Sequence, residues 1–350
     1  MEKEHDFKWT VIGAGPAGIA AVGKLIDNQV NPKQIAWLDP SFQVGDFGTK
    51  WNKVPSNTKV SLFLKFLNES TSFNYPNCKE NFKIHELDPN GTCELSYMVS
   101  PLAWISEHLR KSVTSLKNSA VSVKMKNRNW VVSLEGGEQI TSTNVILATG
   151  AKQKSLSYPS LKEISLEIAL NKDKLSEYCS NKDKIAVFGS SHSAVLILRN
   201  LIECTAVTRI LNFYQSPLCY AVYLDDCILF DNTGLKGTTA LWAKENLHGK
   251  LPQSLERYVA NKENLQKYLS QCTHVIYAVG FESRAIPVED FESINYNAKT
   301  GIIAPGLFGF GIAYPESKVD RFGIEEYRVG LWKFMSYLNE ILPIWQKYSL

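Results

Sequence analysis

The sequence predicts an α/β fold with two Rossmann-like units, and three observations carry the prediction. The stretch WTVIGAGPAGIAAVGKLID, residues 9–27, passes from an apolar run through a glycine turn into a helical pattern. A second, imperfect copy, IAVFGSSHSAVLILRNL, occupies residues 185–201. The chain has 350 residues at 44% hydrophobic composition, which suits two moderate cores better than one very large core.

In the first copy, Lys8 to Ile12 reads as a strand, Gly13-Ala14-Gly15-Pro16-Ala17-Gly18 as the turn, and the following IAAVGKLID as the helix. Strand, glycine turn and helix in that order form the context in which this motif binds a dinucleotide. Gly13 permits the tight turn, Gly15 lets the backbone approach a pyrophosphate, and Gly18 lets the helix lie close to the strand. The free N–H groups of the helix start then face the phosphates. The second strand, QIAWLD at 34–39, ends in Asp39, 21 residues beyond Gly18 and placed to accept ribose hydroxyls. The plainer alternative is that Asp39 only opens the Asp-Pro turn.

Composition excludes several other classes. A net charge of +3 with mixed signs along the chain points neither to nucleic acid nor to an anionic membrane. Seven cysteines (78, 93, 179, 204, 219, 227 and 272) include no C-x-x-C pair and no short Cys/His ligand cluster. That argues against a disulfide framework, a zinc or other metal site and a dithiol centre, and fits a reducing, cytoplasmic setting. The charged start MEKEHDFKWT does not read as a signal peptide, and no apolar run approaches membrane-spanning length.

Farther along, AVSVKMK, NWVVSLEG and QITSTNVILATG read as a β-meander, with Gly136-Gly137 turning between the last two and Ala148-Thr149-Gly150 closing the final strand. Glycine turn, acid after the second strand, meander and ATG turn, in this order, resemble the flavoproteins with two dinucleotide-binding domains. The resemblance spans nearly the whole chain and explains the doubled motif. It implies that the first copy binds FAD and that the second, inserted in the FAD domain, binds NAD(P)H. The expected boundaries are 1–155 with 281–350 for FAD and 156–280 for NAD(P)H, the insert ending where HVIYAVGFESR repeats the strand-glycine pattern at Gly280. FAD contacts then fall to Gly13, Gly15, Pro16, Ala17, Gly18, Asp39, Thr149 and Gly150. PGLFGFGIAYPE, residues 305–316, lacks the Gly-Asp of disulfide reductases, so backbone around Gly311 would hold the flavin side. A last helix is expected over roughly 323–342, with Leu331, Phe334, Met335 and Leu338 docked in the core and its N-terminus toward the flavin ring.

The second copy departs from the pattern. Gly189 keeps the first glycine, but Ser191 and Ala194 replace the other two, and a serine Cβ crowds the pyrophosphate approach. The GSS turn nonetheless resembles that of NADPH-binding flavin monooxygenases, which assigns Gly189, Ser190, Ser191 and Ser193 to the coenzyme. His192 reads more simply as a first-turn helix residue than as a catalytic one. The next strand, TRILNFYQS, ends in Tyr214-Gln215-Ser216, with neither the acid that suits a free 2′-hydroxyl nor an arginine for a 2′-phosphate. NADPH follows from the resemblance alone, with NADH left open. Residues 225–247 suit either a loop over the nicotinamide or an ordinary polar turn.

Within the superfamily, thioredoxin-reductase-like chemistry is disfavoured because Cys219 and Cys227 lie eight apart, and IAAVGKLID contains no cysteine of the larger disulfide-reductase type. GDFGTKW at 45–51 and VPSNTKVSLFLKFLNESTSFNYP at 54–76 instead resemble class B flavin monooxygenases, especially amino-acid N-hydroxylases. That resemblance carries over Trp51, Asn57, Thr58 and Lys65, with Trp51 at the cofactor and Lys65, Asn57 and His192 as catalytic candidates. The residues alone read as an amphipathic helix with Leu62, Phe63 and Phe66 buried and Lys65 solvated. At 350 residues the sequence is short for that class, and no separate substrate domain is expected. The expected activity is hydride transfer from NAD(P)H to FAD, then oxygen activation on a small nucleophilic substrate. A ferredoxin- or flavodoxin-NADP-type reductase without a dithiol, and a flavin-binding protein with little turnover, are the alternatives. Oligomeric state is left open.

Overall fold

The computed structural model describes residues 6–291 and 294–349. From the first strand onward the order is β1 (Asp6–Ile12), α1 (Pro16–Asp27), β2 (Ile35–Leu38), α2 (Gly45–Thr49), β3 (Pro55–Lys59), α3 (Val60–Glu69), β4 (Thr92–Glu94), α4 (Ser96–Arg110), β5 (Thr114–Leu116), β6 (Ala120–Lys126), β7 (Asn129–Leu134) and β8 (Gln139–Leu147). β5, β2, β1 and β8 pair parallel in that order, and β7 and β6 follow antiparallel as the meander. β8 is long enough for two partners on its outer edge. Residues 139–142 pair with β7, while 145–147 pair with the returning strand Leu307–Gly309.

From Trp9 to Ile12 β1 is buried on both faces, while the charged Asp6 and Lys8 at its start are exposed. Trp9 and Val11 join α1, α3, α4 and the last helix in one core, and Phe7 and Ile12 join the meander in another. The chain divides into two compact units, one made of residues up to Ala151 and from Ser283 onward, the other of Lys152–Glu282.

The second unit repeats the parallel arrangement. Its sheet runs Lys162–Glu163, His274–Tyr277, Lys184–Phe188, Arg209–Tyr214 and Leu255–Val259, all parallel. The helix His192–Cys204 follows the strand Lys184–Phe188 as α1 follows β1.

Three expectations need correction. The last helix is Leu331–Lys347, not 323–342. Glu325–Arg328 instead pairs antiparallel with Glu316–Val319 as a hairpin, and the helix starts at the turn made by Gly330. It continues through Pro343 because Trp345 beyond it is fully buried and donates its indole N–H to Thr300 O at 2.6 Å, so packing outweighs the proline penalty. Leu331, Phe334, Met335 and Leu338 are in the core as expected. On α3 the buried stripe is Val60, Phe63, Phe66 and Leu67, whereas Leu62 is 36% exposed. Residues 225–247 are not one loop: Val222–Tyr223 and Ile228–Leu229 form a hairpin, and Gly237–Asn246 is a helix.

Candidate functional site: two glycine-turn cradles

The first cradle is built on the β1–α1 turn. Gly13 N donates to Leu38 O at 2.7 Å, tying the turn to β2. At φ +111°, a Cβ on Gly13 would stand 2.3 Å from Ala148 O, so only glycine fits between β1 and the ATG turn. A Cβ on Gly18 would lie 1.9 Å from Gly13 O, which is the close helix-to-turn packing expected of the third glycine. Gly15 is different: its added Cβ would have only Val44 O, at 3.9 Å, near it. Its lack of a side chain therefore serves open space rather than internal packing. The start of α1, with Pro16 in its first turn, has no side-chain cap and no acid, leaving its N–H groups for an anion. Gly311 closes on the same helix start, where a Cβ would meet Ala17 Cβ at 2.6 Å.

Asp39 is almost wholly spent on the protein. One carboxylate oxygen accepts from Ala14 N at 2.8 Å, and the other from Ser41 N at 2.9 Å and Phe42 N at 2.7 Å. Asp39 is 7% exposed, so it locks the glycine turn to the 41–42 turn while one oxygen keeps spare accepting capacity. Trp37 supports the turn from β2 by donating its indole N–H to Gly13 O at 2.9 Å.

Across from the turn, Thr149 Oγ1 is buried without a hydrogen-bond partner among the described residues. A buried, unused hydroxyl beside an open glycine face and an uncapped helix start fits a polar ligand such as FAD. Gly150 O accepts from Arg284 N at 3.0 Å, and the Arg284 guanidinium pairs with Asp46 on α2. Neither Asp46 nor Arg284 stands out in the sequence, since they are brought together across the whole insert. Trp51 is half-buried just after α2, its N–H bound to Asp46 O at 3.0 Å, and Asn57 and Thr58 are half-buried on β3. Lys65 Nζ lies 3.9 Å from the centroid of the Trp332 ring, so this exposed lysine anchors α3 to the start of the last helix. That helix start, at Gly330, carries no side-chain cap. A cleft of about 570 Å³ beside β3 and β4 is lined by Lys53, Lys83, Glu94, Ser96 and Tyr97 among others.

The second cradle repeats the turn geometry of the first. Gly189 N donates to Phe213 O at 2.9 Å, and a Cβ on Gly189, at φ +125°, would stand 2.3 Å from Ala278 O. Ala278 and Gly280 thus answer to Ala148 and Gly150. Ser191 occupies the helix cap that Gly15 occupies in the first copy, at φ −88° against −74°, so serine adopts this backbone without strain. Its side chain makes no cap bond. Ser190, His192 and Ser193 are half-buried around it, and Ala194 is buried where the third glycine stood. Asn212 takes the part of Trp37, donating to Val187 O at 3.0 Å and Gly189 O at 2.8 Å. Sequence reasoning missed Arg257, which donates from Nε to Asn212 Oδ1 at 2.9 Å and lies 4.8 Å over the Tyr214 ring. The signal was strand pairing: Asn212 and Arg257 are register partners 45 residues apart.

All seven cysteines are free thiols. Burial, with Glu94 nearby, pushes the Cys93 thiol up to about 11; burial does the same at Cys179 and Cys272. These three are therefore poor nucleophiles at neutral pH. Among the described residues no three His, Cys, Asp or Glu side chains gather as a metal site, and no helix is long and apolar enough to cross a membrane.

Comparison with known proteins agrees with this architecture. The family model described as pyridine nucleotide-disulphide oxidoreductase matches residues 7–211. A monooxygenase, AgnR1 of Paecilomyces divaricatus, is 32% identical over 380 residues, covering 96% of this chain and 97% of that protein. Among solved structures, the ornithine N-hydroxylase of Kutzneria sp. 744 superposes with a TM-score of 0.68 at 12% identity, covering 98% of this chain and 99% of the other. A flavin-containing monooxygenase from Stenotrophomonas maltophilia gives 0.62 at 13% identity, and the thioredoxin reductase of Lactococcus lactis 0.60 at 12%, each covering 98% of both chains. The chain therefore belongs to the pyridine nucleotide-disulphide oxidoreductase family, as an FAD-dependent oxidoreductase whose second dinucleotide is a nicotinamide coenzyme.

Proposed function

We propose that this oxidoreductase is a monooxygenase that takes hydride from NADPH and oxygenates a small nucleophilic molecule, such as an amine or a thioether. In this reading the unit containing β1 holds FAD and the Lys152–Glu282 unit holds NADPH. The observation that carries it is the doubled cradle without a dithiol: two equivalent glycine turns, Gly13 against Ala148 and Gly189 against Ala278, and free cysteines only. The 32% identity to a monooxygenase supports oxygen as the acceptor.

FAD, when bound, supplies the redox chemistry, taking hydride from the nicotinamide and passing electrons to oxygen. The protein's part is position and exclusion of water. Gly13, Gly15, Pro16, Ala17 and Gly18 present the α1 N-terminus to the pyrophosphate, with Thr149, Gly150 and Gly311 as further contacts. Trp51 and the helix start at Gly330 bound the flavin end, and Lys65 holds that helix start through Trp332. Gly189, Ser190, Ser191, Ser193 and Gly280 serve NADPH. Asn57 is the polar group assigned to the reacting end of the FAD unit and His192 the one assigned to the coenzyme turn of the other unit, and the Lys53–Tyr97 cleft offers room and mixed charge for a small polar substrate. A cytoplasmic setting accords with the free thiols.

The test is direct. Flavin released by heat and identified by chromatography should be FAD, and NADPH and oxygen consumption should be stoichiometric once a substrate is supplied. FMN, or no flavin, would refute the cradle assignment; NADPH oxidation that needs ferredoxin or flavodoxin as acceptor would establish the reductase instead.

A further inference from the structure

We propose that Arg257 is the residue that reads the 2′-phosphate of the coenzyme and so selects NADPH over NADH. The inference rests on the reading above that this unit holds the nicotinamide dinucleotide. The bonds Gly13 N to Leu38 O and Gly189 N to Phe213 O make Leu38 and Phe213 equivalent, so Tyr214 stands where Asp39 stands in the first cradle. That position borders the ribose of the adenosine half. In the first cradle a carboxylate occupies it, which would repel a 2′-phosphate. In the second the carboxylate is gone, and a guanidinium from the neighbouring strand lies over the ring that replaces it.

Arg257 is prepared for an anion. Its Nε is fixed on Asn212 Oδ1, which is itself fixed by the Asn212 amide to the carbonyl of Gly189 in the coenzyme turn. The guanidinium is half-buried, and among the described residues no carboxylate pairs with it. Its two Nη groups remain as a preorganised fork, the geometry that holds a phosphate through two bonds. Desolvation draws its pKa below the usual arginine value, as expected of a partly buried cation lacking a counter-ion. A second cation, Lys244, stands by Tyr220, which is near enough to Arg257 to feel its charge. Lys244 Nζ stands 5.2 Å from the Tyr220 ring, and the Tyr220 hydroxyl meets His248 Nε2 at 2.7 Å.

The experiment uses two coenzyme fragments, 2′,5′-ADP and 5′-AMP, titrated calorimetrically into the FAD-loaded protein. Wild type should bind 2′,5′-ADP about tenfold to a hundredfold more tightly, the range of a charge-assisted contact. Arg257→Gln should bring that ratio close to one, and Arg257→Lys should restore part of it, with thermal unfolding recorded to confirm that both variants fold. The ratio of anaerobic flavin reduction rates with NADPH and NADH should move in parallel. Equal binding of the fragments by wild type, no binding of either, or a preference undiminished in a folded Arg257→Gln protein would overturn the assignment. Fragment discrimination without flavin reduction by either nicotinamide would sink the proposed function and leave this assignment standing; equal reduction by both nicotinamides would do the reverse.

Discussion

Replacing Asp39 with alanine should damage the folded protein more than it damages FAD affinity. The carboxylate accepts from Ala14 N, Ser41 N and Phe42 N, and Ala14 and Phe42 are buried. Ser41 is exposed, so its N–H returns to water when the carboxylate is removed. The other two donors are left unpaired inside the protein, each at about 1–3 kcal/mol, for a total loss of about 2–6 kcal/mol in the unit that carries β1. The ribose contact proposed for Asp39 is a single partner, about 1–3 kcal/mol of FAD affinity. Asp39→Asn keeps one carbonyl acceptor and should lose roughly half as much stability as alanine. Urea unfolding followed by tryptophan emission, on FAD-loaded and FAD-stripped protein, separates the two effects. An alanine variant that unfolds like wild type when stripped, yet retains FAD poorly, would show that the carboxylate serves the ligand and not the turn.

Other outcomes follow from the same structure. Gly189→Val puts a branched side chain where even a Cβ would stand 2.3 Å from Ala278 O, so the variant should keep its FAD and lose reduction by NADPH; unchanged reduction would move the coenzyme elsewhere. Replacing Cys219 and Cys227 together with serine should leave anaerobic flavin reduction at the wild-type rate, and a folded variant that has lost it would restore a thiol mechanism. Asp27 accepts from Thr71 Oγ1 at 2.8 Å, Ser72 N at 2.9 Å and Ser72 Oγ at 2.6 Å, clasping α1 to the turn after α3. Burial there raises its pKa, but the hydrogen bonds from Ser72 and Thr71 outweigh it and hold the carboxyl below the ordinary 3.8. Its contribution is therefore complete above that value and is lost as pH falls below it toward the lowered pKa. Urea midpoints across this acid limb should fall more steeply for wild type than for Asp27→Asn; identical slopes would contradict the clasp.

Much of the fold was legible because the residues that define it act locally. Strand, glycine turn and helix are contiguous in both copies, and the meander from Ala120 to Leu147 announces itself through alternation and the Gly136-Gly137 turn. What stayed hidden was decided at long range. The start of the last helix depends on Glu325–Arg328 finding Glu316–Val319 as a partner, and its end depends on Trp345 reaching Thr300. Leu62 faces solvent because the α3 stripe is set by Val60, Phe63 and Leu67, one position round from the expected face. Lys65 was legible as exposed, but its rest on Trp332 was not, since that ring comes from a helix far along the chain. The same holds for the charges around the two cradles: Arg284 reaches Asp46, and Arg257 reaches Asn212, only after the sheets have paired.

A monooxygenase differs from a reductase in one respect above all: its reduced flavin reacts productively with oxygen. The measurement that tests it most directly is anaerobic reduction of the FAD-loaded protein by NADPH, followed by rapid mixing with oxygenated buffer while spectra are recorded. Full bleaching by NADPH is expected, then a transient absorbing below the oxidised flavin band before the oxidised spectrum returns, because a flavin held away from water, as proposed, decays slowly without product. Reoxidation in a single step without any transient, together with rapid electron transfer to a ferredoxin or flavodoxin, would contradict it.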